Sequence, residues 1–99
     1  MAIAKFTEGI NLYQKHSEPC LENEEIRAIV INLYTNRGLA NHQIDNQVDC
    51  FNDVNYVLTA IDPNNTKALF RRAYCYKLKS QLSLALADLE LLVSLDNNK

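Results

Sequence analysis

Leu33, Tyr34, Arg37 and Gly38 return 35 positions later as Ala68, Leu69, Arg72 and Ala73, and Cys50, Asp53, Val54 and Val57 return at the same interval as Ala85, Asp88, Leu89 and Leu92. A chain that repeats in this way builds one supersecondary unit more than once, each copy burying its apolar face against the next. At the end of the unit the interval shortens to 34, because Asp62 aligns with Asp96, so one extra residue lies in the segment before Asp62. The first segment fits only as the second helix of such a unit: Ala2, Phe6 and Ile10 align with Cys50, Val54 and Leu58 at an interval of 48. The chain therefore reads as entering partway through a repeat, as a fragment of a longer protein would.

The unit is helical. Only two glycines and two prolines occur in 99 residues, and apolar side chains recur at helical spacing, as in Ile26, Ile29, Val30, Leu33, Tyr34 and again in Leu82, Ala85, Leu86, Leu89, Leu92, Val93. The pattern predicts an all-α chain of five helices over 2–14, 23–42, 47–61, 66–79 and 82–95. They are expected to form one domain over 1–99, an antiparallel helix-turn-helix array in a right-handed stack. Residues 1–30 hold a partial first repeat and a long connection, and full repeats cover 31–65 and 66–99. Gly38 and Ala73 are placed where two helices need to approach closely. Tyr34, Tyr56, Tyr76, Phe6, Phe51, Leu89 and Leu92 are assigned to helix contacts, and Arg37 and Arg72 to packing or a structural ion pair. Cys50 and Cys75 read as small buried fillers, Cys20 as a residue near a loop, and His16 and His42 as surface residues.

Several function classes fall away. A formal charge of −2 argues against nucleic-acid binding by bulk electrostatics, so any basic site is local. Three widely spaced cysteines, with no CxxC pair, indicate neither a disulfide framework nor a metal site, and point to a reducing, cytoplasmic compartment. No apolar run reaches the length of about 18 residues that a membrane-spanning helix needs, and the N-terminal segment lacks the apolar core of a secretory signal. There is no glycine-rich phosphate loop, His-Glu-x-x-His or nucleophile elbow, and Glu22, Glu24 and Glu25 suit the field at a helix N-terminus better than acid–base work. Neither catalysis nor a cofactor is expected.

What remains is a candidate anion site. Asp62-Pro63 stops the preceding helix, since the residue before proline is pushed out of the α region, and Asn64, Asn65 and Thr66 offer oxygens to cap the next one. That helix carries Lys67 and Arg71 at i and i+4, hence on one face. The 35-residue interval sets Asn32 beside Lys67 and Asn36 beside Arg71 on neighbouring helices. Arg71 is suited to a bidentate fork on a carboxylate, Lys67 to a point charge and Asn36 to a neutral donor, each charge-assisted bond worth about 1.5–3 kcal/mol when sheltered. Phe70, Tyr74 and Lys77 are expected to extend the groove, with an aromatic surface for an apolar residue upstream of the carboxylate.

A period of 34 is that of the tetratricopeptide repeat. Leu33-Tyr34-Thr35-Asn36-Arg37-Gly38 and Asn65-Thr66-Lys67-Ala68-Leu69-Phe70-Arg71-Arg72-Ala73, with Ala60-Ile61-Asp62-Pro63-Asn64-Asn65 between them, resemble tetratricopeptide (TPR) co-chaperones of the carboxylate-clamp type. The resemblance covers nearly the whole chain. It implies a groove that takes the C-terminal Glu-Glu-Val-Asp tail of Hsp70 or Hsp90, with Asn36, Lys67 and Arg71 at three of the clamp positions. The other two, a lysine and an asparagine, belong to a first helix that would precede residue 2.

A competing expectation is a scaffold that acts through its apolar repeat ends, by self-association or with a subunit that completes it. Another is a regulatory protein without a clamp, in which Gln43 to Asn46 replaces the usual glycine-containing turn.

Overall fold

A computed structural model describes residues 2–15 and 23–97; His16 and Cys20 lie outside these. Five helices occupy the described residues: α1 (Ala2–Lys15), α2 (Glu24–Gln43), α3 (Gln47–Tyr56, continued by a π-helical turn over Val57–Ile61), α4 (Thr66–Leu78) and α5 (Leu82–Asn97). Their bounds lie within two residues of those the periodicity predicts.

Asparagines start three of them. The Oδ1 atoms of Asn23, Asn46 and Asn65 accept hydrogen bonds from the backbone N–H groups of Ile26 (3.1 Å), Asp49 (3.4 Å) and Ala68 (2.9 Å). Each satisfies a donor that the first helical turn leaves without an intrahelical partner. Two helices end alike. After α2, Asn46 N–H reaches Asn41 C=O at 2.8 Å and Asp45 N–H reaches His42 C=O at 3.0 Å. After α4, Gln81 N–H reaches Tyr76 C=O at 2.9 Å and Ser80 N–H reaches Lys77 C=O at 3.0 Å. These are Schellman closures, which put one residue in the left-handed region. That residue is Asp45 at φ 64° and Ser80 at φ 61°, 35 positions apart and neither a glycine.

The extra residue before Asp62 has a structural counterpart. Asp62 N–H bonds to Val57 C=O at 2.7 Å, five residues back, so the last turn of α3 is widened by one residue. In α5 the corresponding stretch stays α-helical to Asn97.

Each helix packs chiefly on its neighbour in sequence, and α2 also meets α4. Short turns make α2 and α3, and likewise α4 and α5, antiparallel pairs. Ile10 and Tyr13 of α1, Val30 and Tyr34 of α2, Val54, Val57 and Leu58 of α3 with its π turn, and Ala68 and Leu69 of α4 form one core, against which Leu92 and Leu95 of α5 pack. The core also contains a ring cluster: Tyr34 stands edge-on to Tyr13 and lies 4.6 Å from Tyr56 between centroids, while the hydroxyls of Tyr13 and Tyr56 are 2.8 Å apart. Gly38 is where α2 closes on α3, since a Cβ there would lie 3.2 Å from Val54 Cγ1.

Arg37 and Arg72 are structural. Each forks onto the aspartate 16 residues ahead: Arg37 onto Asp53 (2.9 and 2.6 Å) and Arg72 onto Asp88 (2.8 and 2.7 Å). The carboxylate, first through its hydrogen bond, raises each guanidinium above its ordinary value against the opposing effect of burial.

Two expectations need correction. Leu89 is not a core residue: it is exposed, because α5 is apolar around most of its circumference and only one face is covered. His42 is not a free surface residue. Its ring is half-buried, lies 3.1 Å from the Gln47 side-chain amide nitrogen and stands edge-on to Tyr74. Cys50 and Cys75 are small buried fillers, as expected, and their sulfurs touch.

Candidate functional site

Helices α2 and α4 lie side by side, and the cleft between them, floored by Val54 of α3, is a hollow of about 380 Å³. Its walls are Thr35, Asn36 and Leu39 from α2 and Thr66, Lys67, Phe70 and Arg71 from α4. Asn36, Lys67 and Arg71 thus converge, as the repeat interval requires. The Asn65 cap and the Pro63 turn set where α4 begins, and so fix the side on which its first two turns present Lys67 and Arg71.

The charges of this hollow are unbalanced. Among the described residues its lining contains Lys67 and Arg71 and no carboxylate. Among the described residues the ion pairs are Arg37–Asp53 and Arg72–Asp88, so neither Lys67 nor Arg71 is engaged in one. The division between Arg71 and Arg72 follows from helical geometry. Adjacent residues differ by about 100° around the axis, which sends Arg72 toward α5 and Arg71 into the cleft. Arg71 lies over the Phe70 ring at 6.0 Å, the outer limit of a cation–π contact.

Phe70 also borders a second, more apolar hollow of about 500 Å³ between α4 and α5. Tyr74 and Lys77 line this one, with Leu82, Leu86 and Leu89 opposite. The Lys77 ammonium sits 6.0 Å from the Tyr74 ring centre. Phe70, Tyr74 and Lys77 therefore continue the surface from the charged cleft into a more apolar one. Asn32 is exposed one turn before Asn36 and lines neither hollow. Spacing did not signal Thr35, Leu39 and Thr66, which complete the lining of the charged cleft.

Over 74 residues, 75% of this chain, the sequence is 32% identical to FK506-binding protein 59 of Drosophila melanogaster. The match spans 17% of that protein's length. No protein-family model matches the chain, and no solved structure matches it. The similarity and the five-helix array together support a TPR-like helical domain.

Proposed function

We propose that this domain is a protein-interaction module whose α2–α4 cleft receives the acidic C-terminal tail of a chaperone, a Glu-Glu-Val-Asp type terminus of Hsp70 or Hsp90. The observation that carries the reading is the convergence of Asn36, Lys67 and Arg71 on a cleft that, among the described residues, no carboxylate lines. In this mechanism Arg71 forks onto a carboxylate, Lys67 neutralises a second negative group, and the Asn36 amide holds the peptide main chain. An apolar residue upstream in the peptide rests on Phe70 and Tyr74 at the edge of the second hollow. The likeness to part of an FK506-binding protein is consistent with a binding module carried in a larger protein. The domain acts by recruitment rather than catalysis, in the reducing cytoplasm that its cysteine usage suggests.

Titrating a peptide ending in Glu-Glu-Val-Asp against the wild type and Arg71→Ala, with the peptide's C-terminus free or amidated, tests the reading. Amidation and the substitution are each expected to weaken binding about tenfold, as loss of a charge-assisted bond does. Equal affinity for the free and amidated peptides removes the clamp.

A second reading, a scaffold that self-associates or is completed by another subunit, is favoured by one specific feature. Leu82, Leu84, Leu86, Leu89, Leu91 and Val93 of α5 are all more than a third exposed. Solution mass measured across a concentration series tests it, and a strictly monomeric, folded chain counts against it.

A further inference from the structure

Helices α3 and α4 meet at two thiols that peptide recognition does not use. Cys50 and Cys75 are both fully buried and free, and their Sγ atoms lie 3.8 Å apart, in van der Waals contact. Cys75 Sγ also lies 3.8 Å from the Oε1 atom of Gln47. A disulfide needs the sulfurs about 2.05 Å apart, so forming one draws the two Sγ atoms together from van der Waals contact. We propose that Cys50 and Cys75 are a reversible redox pair, oxidised by a small hydroperoxide to a disulfide that clips α3 to α4.

The surroundings assign the two roles. The hydrogen bond shared with Cys50, and then the positive charges of Arg71 and Lys79, hold the Cys75 thiol down against the opposing effect of burial. The same shared hydrogen bond, followed by burial, pushes the Cys50 thiol up. Of the two sulfurs Cys75 has the charge of Lys79 as well as that of Arg71 acting on it, so the attack is written from Cys75. Its thiolate displaces hydroxide from the O–O bond of hydrogen peroxide, giving a sulfenic acid. The Cys50 sulfur then attacks Cys75 Sγ, the S–O bond breaks, and the oxygen leaves as water with the proton that Cys50 loses. Overall, two thiols give up two protons and two electrons, and the peroxide becomes two molecules of water. A dithiol reverses the change by exchange. Burial restricts the reaction to small oxidants admitted by local opening of the α3–α4 joint. The clip fixes the helix that carries Lys67 and Arg71, since Arg71 stands one turn before Cys75.

The test uses the wild-type chain, treated with hydrogen peroxide, quenched and digested without reduction. Mass spectrometry is expected to find the Cys50 and Cys75 peptides joined, the intact mass lowered by two hydrogens, and both changes reversed by dithiothreitol. Cys20→Ser is expected to give the same link. Recovery of Cys50 and Cys75 as free thiols at a peroxide dose that oxidises Cys20, or a link from Cys20 to either in place of the Cys50–Cys75 link, overturns the proposal.

Discussion

Arg37 holds Asp53 in a two-pronged fork, and its third nitrogen, Nη1, reaches Thr7 Oγ1 on α1 at 3.2 Å. One arginine on α2 thus ties together three helices. Arg72 does the same 35 residues later, holding Asp88 on α5 and reaching Asn55 Oδ1 on α3 at 3.0 Å. Thr7 and Asn55 are themselves 48 residues apart, the interval at which α1 aligns with α3. These forks set the relation between helix pairs as well as within them, and so hold α2 and α4 at the spacing that leaves the cleft open.

Removing one partner of such a fork strands the other. Asp53 is almost completely buried while the Arg37 side chain keeps 21% of its surface exposed, so water recovers part of the loss. Asp53→Ala is expected to cost about 2–4 kcal/mol, below the full penalty for a stranded charge in a dry interior. Asp88→Ala should behave alike. Urea unfolding of both variants measures the cost, and a loss under about 0.5 kcal/mol would class the forks with ordinary surface pairs.

Ser80 occupies a left-handed conformation that only glycine adopts without steric cost, and its side chain is exposed at a Schellman closure. Ser80→Gly is therefore expected to raise stability by about 0.5–1 kcal/mol, the relief of left-handed strain outweighing the extra backbone entropy of the unfolded chain. A thermal midpoint unchanged or lowered in Ser80→Gly would show that the turn carries no such strain. Asp45→Gly is a less clean test, because the Asp45 carboxylate accepts a 3.5 Å hydrogen bond from Gln47 Nε2.

The π turn at the end of α3 offers a deletion that should be tolerated. Removing Thr59, an exposed residue within Val57–Ile61, takes out the extra position and lets the turn close with α-helical bonds, as the equivalent stretch of α5 does. The expected outcome is unchanged helicity and a stability within about 1 kcal/mol of the parent, since only a solvent-side hydrogen bond from Thr59 Oγ1 to Asn55 C=O is lost. Deleting Asn52 from the regular part of the same helix is the contrast. It rotates the face that follows by about 100° and should carry Val54 and Val57 out of the core. Circular dichroism and thermal melting distinguish the two, and equal damage from both deletions would mean that the widened turn is not a slack register.

The repeat interval made much of this legible. It aligned Asp53 with Asp88 and Arg37 with Arg72, located the extra residue that becomes the π turn, and set Asn36 beside the helix that carries Lys67 and Arg71. What it could not reach were contacts between non-equivalent positions. Cys50 aligns with Ala85 rather than with Cys75, so comparing repeats never brings the two thiols together, although α3 and α4 do. Nor does periodicity orient α5, whose leucines lie on every side; which face is covered depends on α4. Asp45 and Ser80 escaped notice because the usual glycine signal of a left-handed turn is missing from both.

The cleft's own charges supply the last prediction. Arg71→Lys preserves the charge and removes the planar fork, so it separates a point-charge attraction from bidentate recognition of a carboxylate. With a free-carboxylate acidic peptide, Arg71→Lys is expected to lose about tenfold in affinity, close to Arg71→Ala, whereas Lys67→Arg should retain most of it. Raising salt from low ionic strength to about 1 M, where the screening length falls to about 3 Å, should weaken wild-type binding and narrow its advantage over the variants. Lys15→Gln, a charge change on α1 outside the residues lining the cleft, is the control. If it weakens binding as much as Lys67→Gln, the peptide is responding to the domain's overall charge and not to a site.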